Sequence, residues 1–305
     1  MVKCWCMSIL LKNNYTMIYE IILSLRPKQW VKNLLIFAPL FFSGQVFTDH
    51  LLNNSLQGFF IFSLVVSGGY LINDVFDKSI DSKHPLKNKR PIAKGSFKAS
   101  TAILIAILMN FTGLIWAYNL NLPFFFIALI YLMIMLGYHT WLKNYVLLDI
   151  IIVSSGYLLR IIGGGILINV EPSPWLLLVT FSLSLFLVVS KRIGEMKNIP
   201  PENRRKSLNF YSESMLNNML IVSTTLTITA YAIYAFLSTN NPVINRNVLQ
   251  LSLLPVIFGI FRYLYLVDRN NCGEEPEEEL FRDFPLLISV LIWIIIMFGA
   301  YYIKF

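Results

Sequence analysis

Asn73, Asp74, Asp77 and Asp81 lie within nine residues at the end of a long apolar segment. Carboxylates spaced by three and four share one side of a helix. An oxygen-rich face of this kind suits a hard divalent cation, and Mg²⁺ in particular is held by a few carboxylates together with substrate phosphates. These four residues are therefore candidate Mg²⁺ ligands. A strongly basic loop follows at once, with His84, Lys87, Arg90 and Lys94. Its cations can reach the same phosphates. Acids and cations together predict a membrane enzyme that handles a phosphorylated or diphosphorylated substrate through Mg²⁺. A single Asp would read as a helix end fraying into water. Four polar ligands opening a basic loop outweigh that reading.

The elements that must position these groups are apolar. The chain has 305 residues, 56% of them hydrophobic and 14% charged, with mean hydropathy +0.62. Soluble domains carry about 25% charged residues. Apolar runs long enough to cross a bilayer number about nine, at roughly 31–48, 58–77, 99–118, 123–142, 147–168, 174–191, 216–238, 248–267 and 284–303. The expected fold is all-α, a polytopic bundle of about nine transmembrane helices. Residues 1–20 read as a leader without a signal-peptide pattern, and 21–305 as one catalytic domain. The acidic run Glu274–Glu279 reads as a solvated loop. Cys4, Cys6 and Cys272 suggest neither a zinc site nor a disulfide framework.

Lys and Arg crowd alternate loops: after the second span, at Lys143, and from Lys191 to Lys206. Positive loops stay in the cytoplasm. The expectation is a plasma (inner) membrane protein with its N-terminus inside and its candidate active site on the cytoplasmic face. Nothing suggests nucleic acid as a partner; the bilayer is one, and homo-oligomers are left open.

Further polar groups sit at the same ends of the spans. Lys191, Arg192 and Glu195 close the sixth. Asp149, early in the fifth, needs a partner, and Lys143 is the nearest candidate in sequence. Arg160 lies about 17 Å further along that helix, so it must face the bundle interior. It would pair with a buried acid or reach a lipid phosphate; Arg262 raises the same question. Trp30 and Lys32 fit an interfacial anchor, but Asn33 on the first turn of a span does not. Gly163-Gly164-Gly165 predicts close helix packing.

The pattern Asn73-Asp74-x-x-Asp77-x-x-x-Asp81 at the end of the second span resembles the UbiA superfamily of intramembrane prenyltransferases. Several segments look like that superfamily's decaprenyl-phosphate phosphoribosyltransferase branch. They are Arg26-Pro27-Lys28-Gln29-Trp30-Val31-Lys32-Asn33, His84-Pro85-x-Lys87-x-x-Arg90-Pro91, Tyr138 with Lys143 and Asp149, Leu159-Arg160, and Ser190-Lys191-Arg192-x-x-Glu195. The match runs from about Leu25 to the last span. The resemblance implies an all-helical bundle with a Mg²⁺-dependent site. It places Lys28 and Asn33 on the donor site as phosphate or ribose contacts.

Aromatic prenyltransferases of this superfamily resemble one another in a second Asp-rich motif near the end of the sixth span. Here that position reads Lys191-Arg192-Ile193-Gly194-Glu195. Replacing carboxylates by Lys and Arg favours direct phosphate contact over a second cation. That suits phosphoribosyl diphosphate as donor and a polyprenyl phosphate as acceptor. The expected roles are then catalytic for Asp74, Asp77, Lys191 and Arg192. Lys28, Asn33, Asn73, His84, Lys87, Arg90, Lys94, Tyr138, Lys143, Asp149, Arg160 and Glu195 are expected to bind substrate. The expected product serves arabinofuranose donors for cell-envelope polymers. A prenyltransferase acting on a prenyl diphosphate would keep the first acidic motif but wants acids at 191 and 192. A transporter would want polar groups through the depth of several spans.

Overall fold

A computed structural model describes residues 19–83, 87–237, 244–269 and 276–303. Eight of its helices are long and apolar enough to cross a membrane. We number them α1 (Asp49–Phe76), α2 (Ala99–Leu120), α3 (Leu122–Thr140), α4 (Leu148–Ile168), α5 (Pro174–Asn198), α6 (Glu213–Leu237), α7 (Arg246–Arg269) and α8 (Phe284–Tyr302). No strand occurs among the described residues. The expected leader falls almost wholly outside them, as does His84.

The first expected span, 31–48, differs most. It is a 3-10 helix, Pro27–Phe37, running into a five-residue α-helix, Ala38–Phe42. Eleven residues of 3-10 structure are unusual, since such runs rarely exceed about four. Side chains on a 3-10 helix line up every third residue, rising about 6 Å. Trp30 and Asn33 obey that spacing: Trp30 Nε1 donates to Ser67 Oγ at 2.9 Å, and Asn33 Nδ2 to Ser63 Oγ at 3.0 Å. Ser63 and Ser67 are four apart on α1, where four residues also rise about 6 Å. The two rows match in pitch, and a 3-10 segment fits where an α-helix would slip.

The chain forms two compact units. The first holds residues up to Leu34 and Gln57–Leu142. There α2 turns a seam of Ala102, Ala106, Asn110, Gly113 and Ala117 inward, while Ile107, Leu108 and Phe111 stay exposed. Small residues let backbones approach and leave the large ones to lipid. A Cβ on Gly68 of α1 would lie 2.4 Å from the Asn110 amide nitrogen, which shows how close the seam is. Asn121 ends α2 and caps α3, its side chain accepting from the Phe124 amide at 2.9 Å with Pro123 following.

The second unit holds Leu35–Leu56 and Lys143–Phe305. Its core is built from Phe186, Val189 and Ile193 of α5 against Leu216 of α6 and Ile260 and Tyr263 of α7. The triple glycine on α4 does permit close packing. A Cβ on Gly164 would sit 2.1 Å from the carbonyl oxygen of Ile36. The acidic run expected to be a loop is partly helical, since Pro276–Arg282 forms a short helix before α8.

Gly164→Ala should cost about 1–3 kcal/mol, because backbone rather than a side chain must move. Gly137→Ala, which would meet only the tip of Leu142 at 3.2 Å, should be neutral or mildly stabilising. Thermal unfolding of the two purified variants in one detergent checks the contrast.

Candidate active site

The acidic motif closes α1 in the first unit. Asn73 and Asp74 lie in its last turn, Asp77 breaks it, and Asp81 ends a short helix, Lys78–Asp81. The Asp77 amide still bonds the Asn73 carbonyl at 2.8 Å, and the Asp81 amide bonds the Asp77 carbonyl at 2.8 Å. The chain therefore keeps its helical course, and the three acids stay on neighbouring turns. Acids at a helix C-terminus oppose its dipole, so cations must hold them there.

Asp74 and Asp81 are 2% and 3% exposed. Buried carboxylates need partners, and two arginines supply them. Arg90 Nη1 donates to Asp81 Oδ2 at 2.6 Å and to Asp74 Oδ1 at 3.3 Å. Arg26 Nη2 donates to the same Asp74 oxygen. Arg90 caps a short helix, Pro91–Lys94, which Gly95 ends with φ +85°, a conformation glycine adopts freely. Lys94 is exposed, while Lys87, Asn73 and Asp77 are half-buried.

Among the described residues, no three His, Cys, Asp or Glu side chains converge as a metal site. Two carboxylates do converge on one cationic nitrogen, that of Arg90. Mg²⁺ usually needs one or two carboxylates, completed by phosphates and water. The oxygen donor set of Asp74 and Asp81 fits that requirement.

Lys28 is exposed on the 3-10 helix, while Asn33 is fully buried against Ser63. Trp30 is tied to Ser67, a more specific role than an interfacial anchor. Tyr138, near the end of α3, is buried and packs edge-on against His139 at 5.5 Å.

In the second unit Asp149, Arg192 and Glu195 form a buried network. Arg192 Nε donates to Asp149 Oδ2 at 2.9 Å, Nη2 to the Asp149 carbonyl at 3.2 Å, and Nη1 to Glu195 Oε2 at 3.1 Å. Arg205 donates to the other Glu195 oxygen at 2.8 Å. Ser207 and Tyr211 donate to Asp149 at 3.2 and 2.8 Å. The Tyr211 oxygen in turn accepts the Leu147 amide at 2.7 Å. Leu147 stands before α4 with φ +68°, unfavourable for a side chain with a Cβ. Burial pushes the Tyr211 phenol well above its ordinary pKa, and the Asp149 carboxylate adds to it. It therefore stays a neutral donor. Arg205, Ser207 and Tyr211 belong to this buried network and were missed by the sequence reading. The Ser207 and Tyr211 contacts cross 58 and 62 residues, so no local pattern signals them, while Arg205 reaches Glu195 across 10.

Lys191 and Lys143 are half-buried in the same unit. Arg160 is buried, donates to the Gly156 carbonyl one turn back at 2.6 Å, and lies 5.9 Å from the Tyr157 ring centroid. The question posed by Arg262 is answered: it forks onto Asp283, the N-cap of α8, with Nη2 to Oδ2 at 2.8 Å and Nε to Oδ1 at 3.0 Å. That hydrogen bond and the Leu286 amide hold the Asp283 carboxyl below the usual range despite partial burial.

The sequence matches the UbiA prenyltransferase family over residues 34–282. It is 34% identical over 280 residues to the decaprenyl-phosphate phosphoribosyltransferase of Mycobacterium tuberculosis strain H37Rv, covering 90% of this chain and 91% of that one. It is 31% identical over 286 residues to the enzyme of the same name from Corynebacterium glutamicum, covering 92% and 86%. The fold is similar to that of a UbiA homologue from Archaeoglobus fulgidus bound to GPP and Mg²⁺. That likeness has a TM-score of 0.69 at 18% identity, over 93% of this chain and all of that one.

Two expectations follow from the geometry. Arg192→Met leaves two buried acids under-compensated and should cost about 3–5 kcal/mol. A contact to substrate alone would instead leave the unfolding midpoint unchanged. The Arg262–Asp283 pair should be silent in acid. Because the folded carboxyl has the lower pKa, its contribution is present above the unfolded value of about 3.9 and is lost as pH falls through the folded one. The gap in melting temperature between the parent protein and Arg262→Gln should be steady near neutrality and close below that window.

Proposed function

Because the chain belongs to the UbiA prenyltransferase family, we propose that it transfers 5-phosphoribosyl from phosphoribosyl diphosphate to a polyprenyl phosphate. The chain is a multi-pass membrane protein. Its relatives named for this reaction align over about nine-tenths of its length. One observation carries the choice within the family. Glu195, the acid nearest the end of α5, has both oxygens taken by Arg192 and Arg205. Arg192, only 2% exposed, holds one of those oxygens in a fully buried pair, unlike the partly exposed arginines on Asp74 and Asp81, so Glu195 is poorly placed to hold a second cation on a prenyl diphosphate.

The chemistry is a displacement at the anomeric carbon of the ribose. A lipid phosphate oxygen forms the new bond to that carbon, and the bond to diphosphate breaks with its electron pair leaving on the diphosphate. No general base is needed, since a phosphate monoester is already ionised near neutral pH. The carbon takes on oxocarbenium character as in other glycosyl transfers. Asp74 and Asp81 would hold Mg²⁺, with Asp77 and Asn73 on the neighbouring turns as further oxygen donors toward the cation and its phosphates. When bound, the cation neutralises charge on the departing diphosphate.

The chain's own cations do the rest. Arg90, Lys87, Lys94 and Lys28 bind phosphate oxygens, with His84 near them in sequence as a further substrate contact and Asn33 supporting the segment that carries Lys28. Preorganised charge of this kind is most effective where water is scarce. In the second unit Lys191, Lys143 and Arg160 would bind substrate phosphate, and in the first Tyr138 would contact substrate. Arg192, with Asp149 and Glu195, acts as a buried strut that fixes the last turns of α5. Alternating basic loops support a cytoplasmic site in the plasma membrane. The product would feed pentofuranose donors for cell-envelope polymers.

Purified protein given labelled phosphoribosyl diphosphate, polyprenyl phosphate and Mg²⁺ should yield a labelled lipid. Asp74→Asn and Asp77→Asn should abolish that product while the protein still folds, as a cooperative unfolding transition would show. Consumption of a prenyl diphosphate in place of the phosphoribosyl donor would overturn the reading.

A further inference from the structure

Arg26 stands outside the acid motif and its basic loop, yet it reaches the most buried acid of the motif. It lies at the turn between the helical residues 19–25 and the 3-10 helix Pro27–Phe37. Its φ is +52°, unfavourable for a residue with a Cβ. The next residue is Pro27, which steers its predecessor toward extended backbone. Such strain persists only where the surroundings over-determine it, and it concentrates at functional positions.

The surroundings do over-determine it. Ser67 Oγ donates to the Leu25 carbonyl at 2.9 Å and accepts from Trp30 Nε1 at 2.9 Å, pinning the turn on both sides. The Arg26 guanidinium lies over the Tyr70 ring, 4.7 Å from its centroid, and donates to Asp74 Oδ1. The Arg26 side chain is 22% exposed, while that of Asp74 is 3% exposed. The guanidinium is thus the solvent-side member of the pair. Arg90 is not equivalent: its short bond, 2.6 Å, goes to Asp81, and Asp74 is 3.3 Å away. An oxygen engaged by a guanidinium is not free to ligate a cation, so Arg26 and a divalent cation compete for Asp74.

We propose that Arg26 is an exchange residue for the diphosphate donor. It neutralises Asp74 until a divalent cation and the donor arrive together, then passes from the carboxylate to a diphosphate oxygen. The proposal rests on the reading of Asp74 as a cation ligand. No covalent bond changes; one charge-assisted hydrogen bond replaces another. The Tyr70 face supports the guanidinium plane, and the pinned turn leaves the move to the side chain alone.

The test is Mn²⁺ binding to the full chain in detergent, followed by electron paramagnetic resonance, with and without phosphoribosyl diphosphate. Arg26→Gln should bind Mn²⁺ alone more tightly, on the order of tenfold. With Mn²⁺ saturating, it should bind phosphoribosyl diphosphate more weakly by a similar factor. Arg26→Lys keeps the charge without the planar fork, so both shifts should appear smaller with the same signs. If Arg26→Gln does not fold, Arg26→Lys decides the matter. Variants that bind Mn²⁺ no tighter, or the donor no more weakly, overturn the exchange. Asp74→Asn separates the two layers: lost Mn²⁺ binding keeps Asp74 as a ligand whatever Arg26 does. Full Mn²⁺ binding in that variant removes the reading beneath the proposal.

Discussion

A carboxylate taken out of water has to keep a cation beside it, and this protein meets that demand with arginine. Asp74, Asp81, Asp149 and Glu195 are all 3% exposed or less, and each accepts from a guanidinium. The choice of arginine has a geometric reason. Its planar group carries five donors in a fixed fork, so one residue can serve two acids. Arg90 serves Asp74 and Asp81, and Arg192 serves Asp149 and Glu195. A lysine ammonium, compact and strongly hydrated, would satisfy such a pair less well.

The two networks differ in one respect that bears on function. Arg26 and Arg90 have side chains 22% and 26% exposed, against 2% for Arg192. A partly exposed guanidinium can leave a buried acid cheaply when another cation takes its place there, because water solvates the departing arginine. A fully buried one cannot: its departure strands charge in a medium that cannot screen it. The first network can therefore trade partners with an incoming polyanion. The second behaves as framework, and Tyr211 extends that framework to the backbone of Leu147.

What the sequence revealed follows from distance along the chain. Membrane crossings and the acid motif are local patterns, readable from periodicity, length and spacing. The close approach at Gly164 was also legible as a property of the glycine run, though not its partner, Ile36. Pairing choices were not legible. Arg26 lies 48 residues from Asp74, and Tyr211 lies 62 from Asp149; only tertiary packing selects them. Arg262 looked functional because a charged residue in an apolar helix is costly. Its proximity to the N-cap Asp283 explains it without invoking substrate.

The first expected span shows how an apolar count alone can mislead. Counting apolar residues between breaks assumes a rise of about 1.5 Å each. Trp30 and Asn33 face Ser67 and Ser63, three positions meeting four. An α-helix would rise about 4.5 Å over those three residues, about 1.5 Å short of the serine spacing. One of the two hydrogen bonds would stretch, leaving a polar group unsatisfied in an apolar setting, at a cost of about 1–3 kcal/mol. The 3-10 helix rises about 2 Å per residue and closes that gap. Its own hydrogen bonds are poorer, but two side-chain bonds to α1 offset the loss. Trp30 shares Ser67 with the Leu25 carbonyl on the far side of the turn that carries Arg26, so the register of this segment also sets where its guanidinium can reach. A polar pair spaced by three that faces a serine pair spaced by four is therefore matched in pitch by a 3-10 element and mismatched by an α-helix.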